Sequence, residues 1–96
     1  MRRCYLVSYD ITDAKRLRQV HRLLKAFGEA WQYSVFYCVL REIDRARLEV
    51  ALNALIDARA DQVLIADMGG SDDDARGRFT TLGAALPEPE SGVVVI

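Results

Sequence analysis

The chain has few of the residues that mark specialised classes of protein: two cysteines, one histidine and two prolines among 96 residues. Cys4 and Cys38 are too few and too far apart for a zinc site, and we expect two buried free thiols. No apolar run approaches the roughly 20 residues that cross a bilayer, so we expect no membrane association. The opening Met1-Arg2-Arg3 leads straight into a strand pattern without a signal-peptide motif, which predicts a cytoplasmic protein. The length predicts one domain whose single core is marginal for a monomer.

The net charge of −1 hides an uneven distribution along the chain. Residues 1–50 contain ten Lys and Arg against six Asp and Glu, whereas residues 51–96 contain three against eight. The overall charge therefore does not indicate a nucleic-acid-binding protein. A local basic surface in the first half still would, because phosphate binding depends on where the cations cluster.

The stretch from Tyr5 to Arg18 changes abruptly from an apolar run to a basic, helix-forming segment. Its first five residues are rich in β-formers and lack polar alternation, which predicts a strand buried on both faces. Asp10 closes this strand, and Asp13 or Thr12 is suited to cap the helix that follows. Asp10 is thus predicted at the carboxyl end of a central strand, where α/β proteins often place their chemistry.

The first helix is predicted from about residue 13 to residue 27 and ends before Gly28, which is suited to the C′ position. An apolar stripe at helical spacing should face the core. It consists of Leu17, Val20, Leu23, Leu24 and Phe27. His21 is the only histidine and lies beside this stripe, so we expect a residue at the boundary between core and solvent.

A second face of this helix carries cations spaced by three, four and three residues. We call this set the cationic face: Lys15, Arg18, Arg22 and Lys25, with Arg16 flanking it. One interpretation is an ordinary solvated helix surface, and the other is a surface that binds phosphates. No acid lies between Lys15 and Lys25, whereas a merely solvated face usually mixes charges of both signs. This composition favours phosphate binding.

The rest of the chain predicts an α+β fold. Residues 30–40 are almost wholly β-favouring but long for one strand, so we expect a break near Tyr33-Ser34. A helix from an Asp44 cap to about residue 58 and a strand over residues 62–68 follow. The order strand, helix, strand, strand, helix, strand predicts the ferredoxin-like βαββαβ plait, with two helices on one face of a four-stranded antiparallel sheet.

The last third of the chain carries weaker signals. Residues 71–74 predict a solvated polar turn, since their acids lack the spacing of a calcium loop, and residues 76–82 predict a short extended piece. We divide the chain into a ferredoxin-like domain, residues 1–86, and a Pro-rich linker with a C-terminal strand, residues 87–96. The β-branched tail at residues 93–96 should pair with a sheet edge. It would do so within its own chain or, as we favour, by exchange in a homodimer that covers the bare sheet face.

Several blocks together resemble CRISPR-associated protein family two. They are YLVSYDIT, DAKRLRQV, Gly28, WQYSVFYCVL, a second helix ending in LID and the apolar terminal strand. The resemblance extends over nearly the whole chain, from about Tyr5 to Ile96. It implies a ferredoxin-like fold, a homodimer with exchanged C-terminal strands, and a role as the small partner of the CRISPR spacer integrase.

The resemblance also implies individual roles. Asp10 is the position associated with a divalent metal, usually Mg²⁺, at the dimer axis. Tyr9 precedes it and Phe36 is expected near it, so these three residues are the implied catalytic set. Arg16 and Arg18 are the nearest candidates for the arginines that the first helix contributes.

Three functions are consistent with these features. As a homodimer, the protein would bridge spacer-integrase dimers and bind duplex DNA through its phosphates, which we favour as the main role. Alternatively, two copies of Asp10 would hold Mg²⁺ or another divalent cation in an endonuclease that cleaves single-stranded RNA or DNA by a metal-activated water. Ala30 bears on this nuclease activity. Many relatives carry a basic residue at this position, and the alanine here removes one phosphate contact. A toxin-like ribonuclease with the same fold is the third alternative.

Overall fold

The structure, a computed structural model, describes residues 1–87. Within these residues the elements are β1 (Arg2–Asp10), α1 (Ala14–Lys25), β2 (Glu29–Gln32), β3 (Val35–Arg41), α2 (Glu42–Leu55), β4 (Gln62–Asp67) and α3 (Asp72–Gly77). The strands form an antiparallel sheet in the order β2-β3-β1-β4. This order confirms the predicted α+β class and the ferredoxin-like βαββαβ plait, to which α3 is added after β4.

Helix α1 begins where the sequence predicts it. The Asp13 carboxylate accepts a hydrogen bond from the backbone N–H of Arg16 at 2.9 Å, which satisfies one of the free amides of the first turn. The apolar stripe faces the sheet as predicted, with Val20 and Leu24 fully buried. The helix ends at Lys25, and Gly28 does not have the left-handed backbone expected of a C′ glycine.

Strand β1 is the centre of the sheet, because β3 pairs with one of its edges and β4 with the other. The predicted break at Tyr33-Ser34 is confirmed as the turn between β2 and β3. Since side chains alternate along a strand, Tyr5, Val7 and Tyr9 lie on the face covered by α1 and α2. The even-numbered residues of β1 therefore lie on the opposite face.

The core under the two helices is mostly aromatic and aliphatic. Phe36, Cys38 and Leu40 of β3 are fully buried there beside Val7. Both cysteines are buried and free, as predicted. Burial, with the nearby Glu29 charge, raises the pKa of Cys38 to about 12, so this thiol stays protonated at neutral pH.

The opposite face carries a smaller cluster that the sequence did not predict. Residues 72–77 form a helix rather than a polar turn, and the Ser71 hydroxyl caps it by accepting a bond from the Asp74 amide at 3.2 Å. Ala75 packs against Cys4 and Tyr37. The extended piece expected over residues 76–82 is therefore wrong, because its first two residues belong to α3.

Helix α2 differs from the prediction at both ends. It begins at Glu42 and ends at Leu55 rather than near residue 58, and Asp44 is inside it rather than at its cap. The Asp44 side chain is fully buried and accepts a hydrogen bond from Arg41 Nε at 2.7 Å. That guanidinium lowers the pKa of the Asp44 carboxyl despite its burial. Asp44 is therefore a structural ion-pair partner.

None of the helices between residues 1 and 87 has the length and apolar character needed to cross a membrane. The linker and the tail strand proposed for residues 87–96 fall almost entirely outside the described residues. The division into two segments and the strand exchange therefore stay predictions.

Candidate nucleic-acid interface

The cationic face of α1 is exposed to solvent along its whole length. Within residues 1–87, none of its four cations forms an ion pair with an acid: this holds for Lys15, Arg18, Arg22 and Lys25. Other arginines of the described chain, such as Arg3 and Arg76, are paired with carboxylates. The positive charge of the cationic face is therefore not neutralised by the described part of the fold.

Arg16 is placed differently from these four residues. Its Nε donates to Asp61 Oδ2 at 2.8 Å, and a second nitrogen donates to the Thr12 hydroxyl at 3.2 Å. The Asp61 side chain is fully buried and also accepts from the backbone amides of Thr12 and Asp57. These donors, led by Arg16, hold the pKa of the Asp61 carboxyl well below its usual range. Arg16 thus links the turn after Asp10 to Asp61, and unlike the four residues of the cationic face it already has a carboxylate partner.

Asp10 lies at the end of β1 with its side chain exposed. It is opposite Gln62 in the ladder, on the sheet face that α1 and α2 leave uncovered. Within the described chain its carboxylate has no hydrogen-bond or ion-pair partner. The hydrogen bonds to backbone amides around this turn are made by Asp13 and Asp61 rather than by Asp10.

Tyr9 and Phe36 do not join Asp10. Tyr9 is adjacent in sequence but points to the helix side, where its ring stacks on Phe36 at a centroid distance of 6.3 Å. Phe36 has no exposed surface. In a single chain, strand alternation separates Asp10 from the other two residues, and the catalytic set that the resemblance implies stays a prediction. Phe36 supports the neighbouring aromatic residues from beneath.

The Tyr9 hydroxyl instead organises the turn between β2 and β3. It donates to the Tyr33 backbone carbonyl at 3.0 Å and lies 3.0 Å from His21 Nδ1. Burial raises the pKa of Tyr9, so this phenol keeps its proton. Since that one proton goes to the carbonyl, His21 Nδ1 must be the donor to the phenol oxygen. His21 lies at the core boundary, as predicted, and its ring is oriented by this contact.

A surface cleft of about 280 Å³ lies between the cationic face and this turn. Arg18, Arg22 and Lys25 line one side, and Tyr33 lines the other. The cations and an aromatic ring therefore border the same space, which is the combination used by proteins that bind nucleic acids.

A complete metal site is not formed by one described chain. Between residues 1 and 87, no three His, Cys, Asp or Glu side chains are grouped closely enough to hold a metal ion. Asp10 offers one carboxylate, the minimum of the one or two carboxylates that usually hold Mg²⁺ together with waters or substrate phosphates. A second copy of the chain would supply a second carboxylate from its own Asp10.

Comparison with known proteins identifies the family. A sequence profile of the family described as CRISPR associated protein Cas2 matches residues 2–76, which is well over half of the chain. The chain belongs to the Cas2 family. This confirms the resemblance found in the sequence blocks.

Two Cas2 relatives illustrate the similarity. The CRISPR-associated endoribonuclease Cas2 1 of Rhodospirillum rubrum is 44% identical over 69 residues, covering 72% of this chain and 68% of that protein. A protein of the same name from Thermodesulfovibrio yellowstonii is 36% identical over 92 residues, covering 94% of this chain and 95% of that protein. The crystal structure of Streptococcus pyogenes Cas2 matches with a TM-score of 0.75 at 29% identity, covering 83% of this chain and 99% of that one.

The sequence did not predict the roles of two residues at this site of the Cas2 protein. Asp61 carries no local signal, because its partner Arg16 is 45 residues away in the chain. Tyr33 did carry a signal, since it is an aromatic residue at an expected break between strands, where small polar residues are usual. Tyr33 is 75% exposed, so its ring is not part of the buried core.

Proposed function

We propose that this Cas2 family member acts as a homodimer that binds the phosphates of duplex DNA along α1 and bridges spacer-integrase dimers during CRISPR spacer integration. The observation that carries the proposal is the exposed cationic face, whose four side chains have no acidic partner within residues 1–87. Cations left unpaired by the fold are available to replace the counterions of a nucleic acid.

The geometry of the cationic face suits a phosphate backbone. From Lys15 to Lys25 it extends over ten residues of helix, or about 15 Å at ~1.5 Å per residue. That length corresponds to about four base-pair steps at ~3.4 Å. Contacts to phosphates carry no sequence information, so the expected binding has little sequence preference and depends steeply on salt.

Charge reversal tests this proposal. Arg18→Glu should weaken duplex binding and reduce the slope of log affinity against log salt by about 0.9 for each phosphate contact removed. Arg78→Glu is the matched control, because Arg78 is an exposed arginine at the end of α3, on the opposite sheet face. Binding is measured by fluorescence anisotropy over a range of salt concentrations. Equal slopes for wild type and Arg18→Glu would remove the cationic face from the mechanism.

The homodimer is supported by the sheet face opposite α1 and α2. Leu64 of β4 is 58% exposed there, and β4 is an edge strand. An exposed apolar residue next to a sheet edge that is unpaired within residues 1–87 is a surface that a second copy would cover. For the integrase, the acids of α3 offer a surface of opposite charge: Asp73 and Asp74 are exposed, whereas Asp72 is occupied by Tyr37 and Arg76. Asp73→Lys should weaken co-sedimentation with purified integrase if α3 is the contact.

A metal-dependent endonuclease is a second proposal, and the exposed carboxylate of Asp10 favours it. The relatives from Rhodospirillum rubrum and Thermodesulfovibrio yellowstonii are named as endoribonucleases. Asp10 from each of two copies would hold Mg²⁺ or another divalent cation at the dimer axis, and this cation would supply an activated water and neutralise phosphate charge. In this proposal Asp10 provides the ligand oxygens, and Arg18 holds the phosphate of single-stranded RNA or DNA.

One substitution distinguishes the nuclease proposal from a purely architectural role. Asp10→Asn keeps the size of the side chain and removes its charge, so it should abolish Mg²⁺-dependent cleavage of a labelled RNA and leave duplex binding intact. Glu42→Gln provides the control at an exposed acid in the first turn of α2. If Asp10→Asn cleaves as fast as wild type, Asp10 is not the metal ligand. If it abolishes spacer acquisition in cells while the protein stays folded and dimeric, a purely architectural role is wrong.

A further inference from the structure

Tyr33 is an exposed aromatic ring on a rigid support. Its side chain is 75% exposed, yet its ring stacks against His21 at a centroid distance of 6.3 Å and an interplanar angle of 25°. His21 in turn contacts the buried Phe36 edge-on at 5.2 Å. The Tyr33 backbone is also fixed, because its carbonyl accepts the Tyr9 hydroxyl. One face of the Tyr33 ring is therefore supported, and much of the ring remains open to solvent.

The position of this ring relates it to the cations of α1. Tyr33 borders the same cleft of about 280 Å³ as Arg18, Arg22 and Lys25. A ring beside cations is suited to a ligand that has both a flat apolar part and a phosphate. Nucleotides have both, and base–aromatic stacking is tolerant of sequence because every base has a π-face.

We propose that the cleft between Tyr33 and α1 binds an unpaired nucleotide of a single-stranded nucleic acid. Its base stacks on the Tyr33 ring, and Arg18, Arg22 and Lys25 hold its phosphates. The inference rests on the proposed binding of nucleic acid by the cationic face and adds a preference for single-stranded segments beside Arg18, Arg22 and Lys25.

The preference follows from the structure of the duplex. A base inside a duplex is stacked on both sides by its neighbours and has no free face for Tyr33. The cations, by contrast, contact phosphates of either form. Removing the ring should therefore affect only unpaired strands, whereas removing a cation should affect both.

The test compares three probes on full-length protein by fluorescence anisotropy at fixed salt: an oligothymidylate, an abasic strand of equal length, and a duplex long enough for its ends to contribute little. Tyr33→Ala should weaken binding of oligothymidylate about 5- to 100-fold and leave duplex binding within about 2-fold. Tyr33→Phe, which keeps the ring, should bind like wild type. Wild type should bind the abasic strand as weakly as Tyr33→Ala binds oligothymidylate.

The variants should remain folded, because the Tyr33 ring is exposed and the bond to Tyr9 uses the main chain. An unchanged thermal midpoint checks this. If Tyr33→Ala binds oligothymidylate as well as wild type does, or loses duplex binding equally, the stacking site is wrong while duplex binding by α1 stands. If the wild-type protein binds neither the oligothymidylate nor the duplex, both the proposed nucleic-acid binding by α1 and this stacking site are wrong.

Discussion

Arg16 Nε lies 2.8 Å from Asp61 Oδ2, and this contact joins the first turn of α1 to the segment that leads into β4. The Asp61 side chain has no exposed surface, and it accepts hydrogen bonds from the Thr12 amide at 3.0 Å and the Asp57 amide at 2.8 Å. One buried carboxylate therefore holds the turn that follows Asp10.

The first prediction concerns this carboxylate. Asp61→Asn replaces one acceptor oxygen by a donor, which leaves Arg16 or a backbone amide facing a group that cannot accept its proton. We expect a clear fall in the thermal midpoint, measured by circular dichroism. Asp67→Asn is the matched control, because its ion pair with Arg3 is about half exposed and contributes little. A fall for Asp61→Asn no larger than for Asp67→Asn would contradict the role of Asp61.

The second prediction is a dependence of stability on acid pH. The folded state lowers the pKa of Asp61, so the unfolded chain binds a proton more readily than the folded one. The resulting stability is present above the ordinary aspartate pKa and is lost as pH falls below it. Urea unfolding midpoints should therefore decline below about pH 5, and more steeply for wild type than for Asp61→Asn. Parallel curves for the two proteins would show that Asp61 is not the linked group.

The third prediction concerns Gly28. A Cβ atom at this position would collide with the Tyr37 carbonyl oxygen and the Cys38 sulfur, and the backbone conformation itself needs no glycine. Gly28→Ala should therefore destabilise the fold by about 1–3 kcal/mol, as overpacking of a core does. Gly77→Ala is the control, since nothing lies within 4 Å of its Cβ position. The free energy of unfolding in urea distinguishes the two, and equal values would contradict the packing argument.

The fourth prediction concerns the docking of α3. The Tyr37 hydroxyl donates to Asp72 at 2.7 Å, and the Arg76 guanidinium lies 4.7 Å from the centre of the Tyr37 ring. Tyr37→Phe keeps the ring, which stacks on Trp31, and removes only the hydroxyl. We expect a loss of about 1 kcal/mol and faster amide exchange in α3. The control Tyr33→Phe removes a hydroxyl from an exposed ring and should change neither the stability nor the amide exchange of α3. Unaltered exchange in Tyr37→Phe would show that packing alone holds α3.

The fifth prediction tests the homodimer. A chain that ends at Pro89 lacks the apolar tail, and we expect it to sediment as a monomer while the full chain sediments as a dimer. A control that replaces the tail valines at residues 93–95 by threonines keeps the length and β-propensity and should weaken the dimer less. A truncated chain that still forms a stable dimer would contradict the exchange of strands.

Much of the fold was predictable because its signals are local. The N-cap at Asp13, the apolar stripe of α1 and the break at Tyr33-Ser34 each depend on residues within one element or turn, and the structure confirms them. Residues 71–82 were predicted wrongly for the complementary reason. Six residues are too short for a helical period to stand out, and α3 is stabilised by packing Ala75 on Cys4 and Tyr37, which lie far away in the sequence.

The candidate site likewise has features that local sequence patterns predict and features that depend on residues distant in the chain. The spacing of cations along α1 predicted that Lys15, Arg18, Arg22 and Lys25 share a face, and that face is exposed. The pattern did not separate Arg16 from them, because its partner Asp61 is distant in the chain. Likewise, Tyr9, Asp10 and Phe36 are grouped by family resemblance, but the alternation of side chains along β1 places Asp10 on the other face of the sheet.

The sequence by itself determined the order of the first six strands and helices, the buried stripe of α1 and the concentration of positive charge on one helix, since each is a periodic or local property of the chain. Only the tertiary structure decided which cations form ion pairs and which have no acidic partner within residues 1–87. It also decided that an exposed tyrosine ring lies beside the cationic face. Both outcomes depend on residues that meet only after the chain has folded, because strand pairing brings together segments that are tens of residues apart.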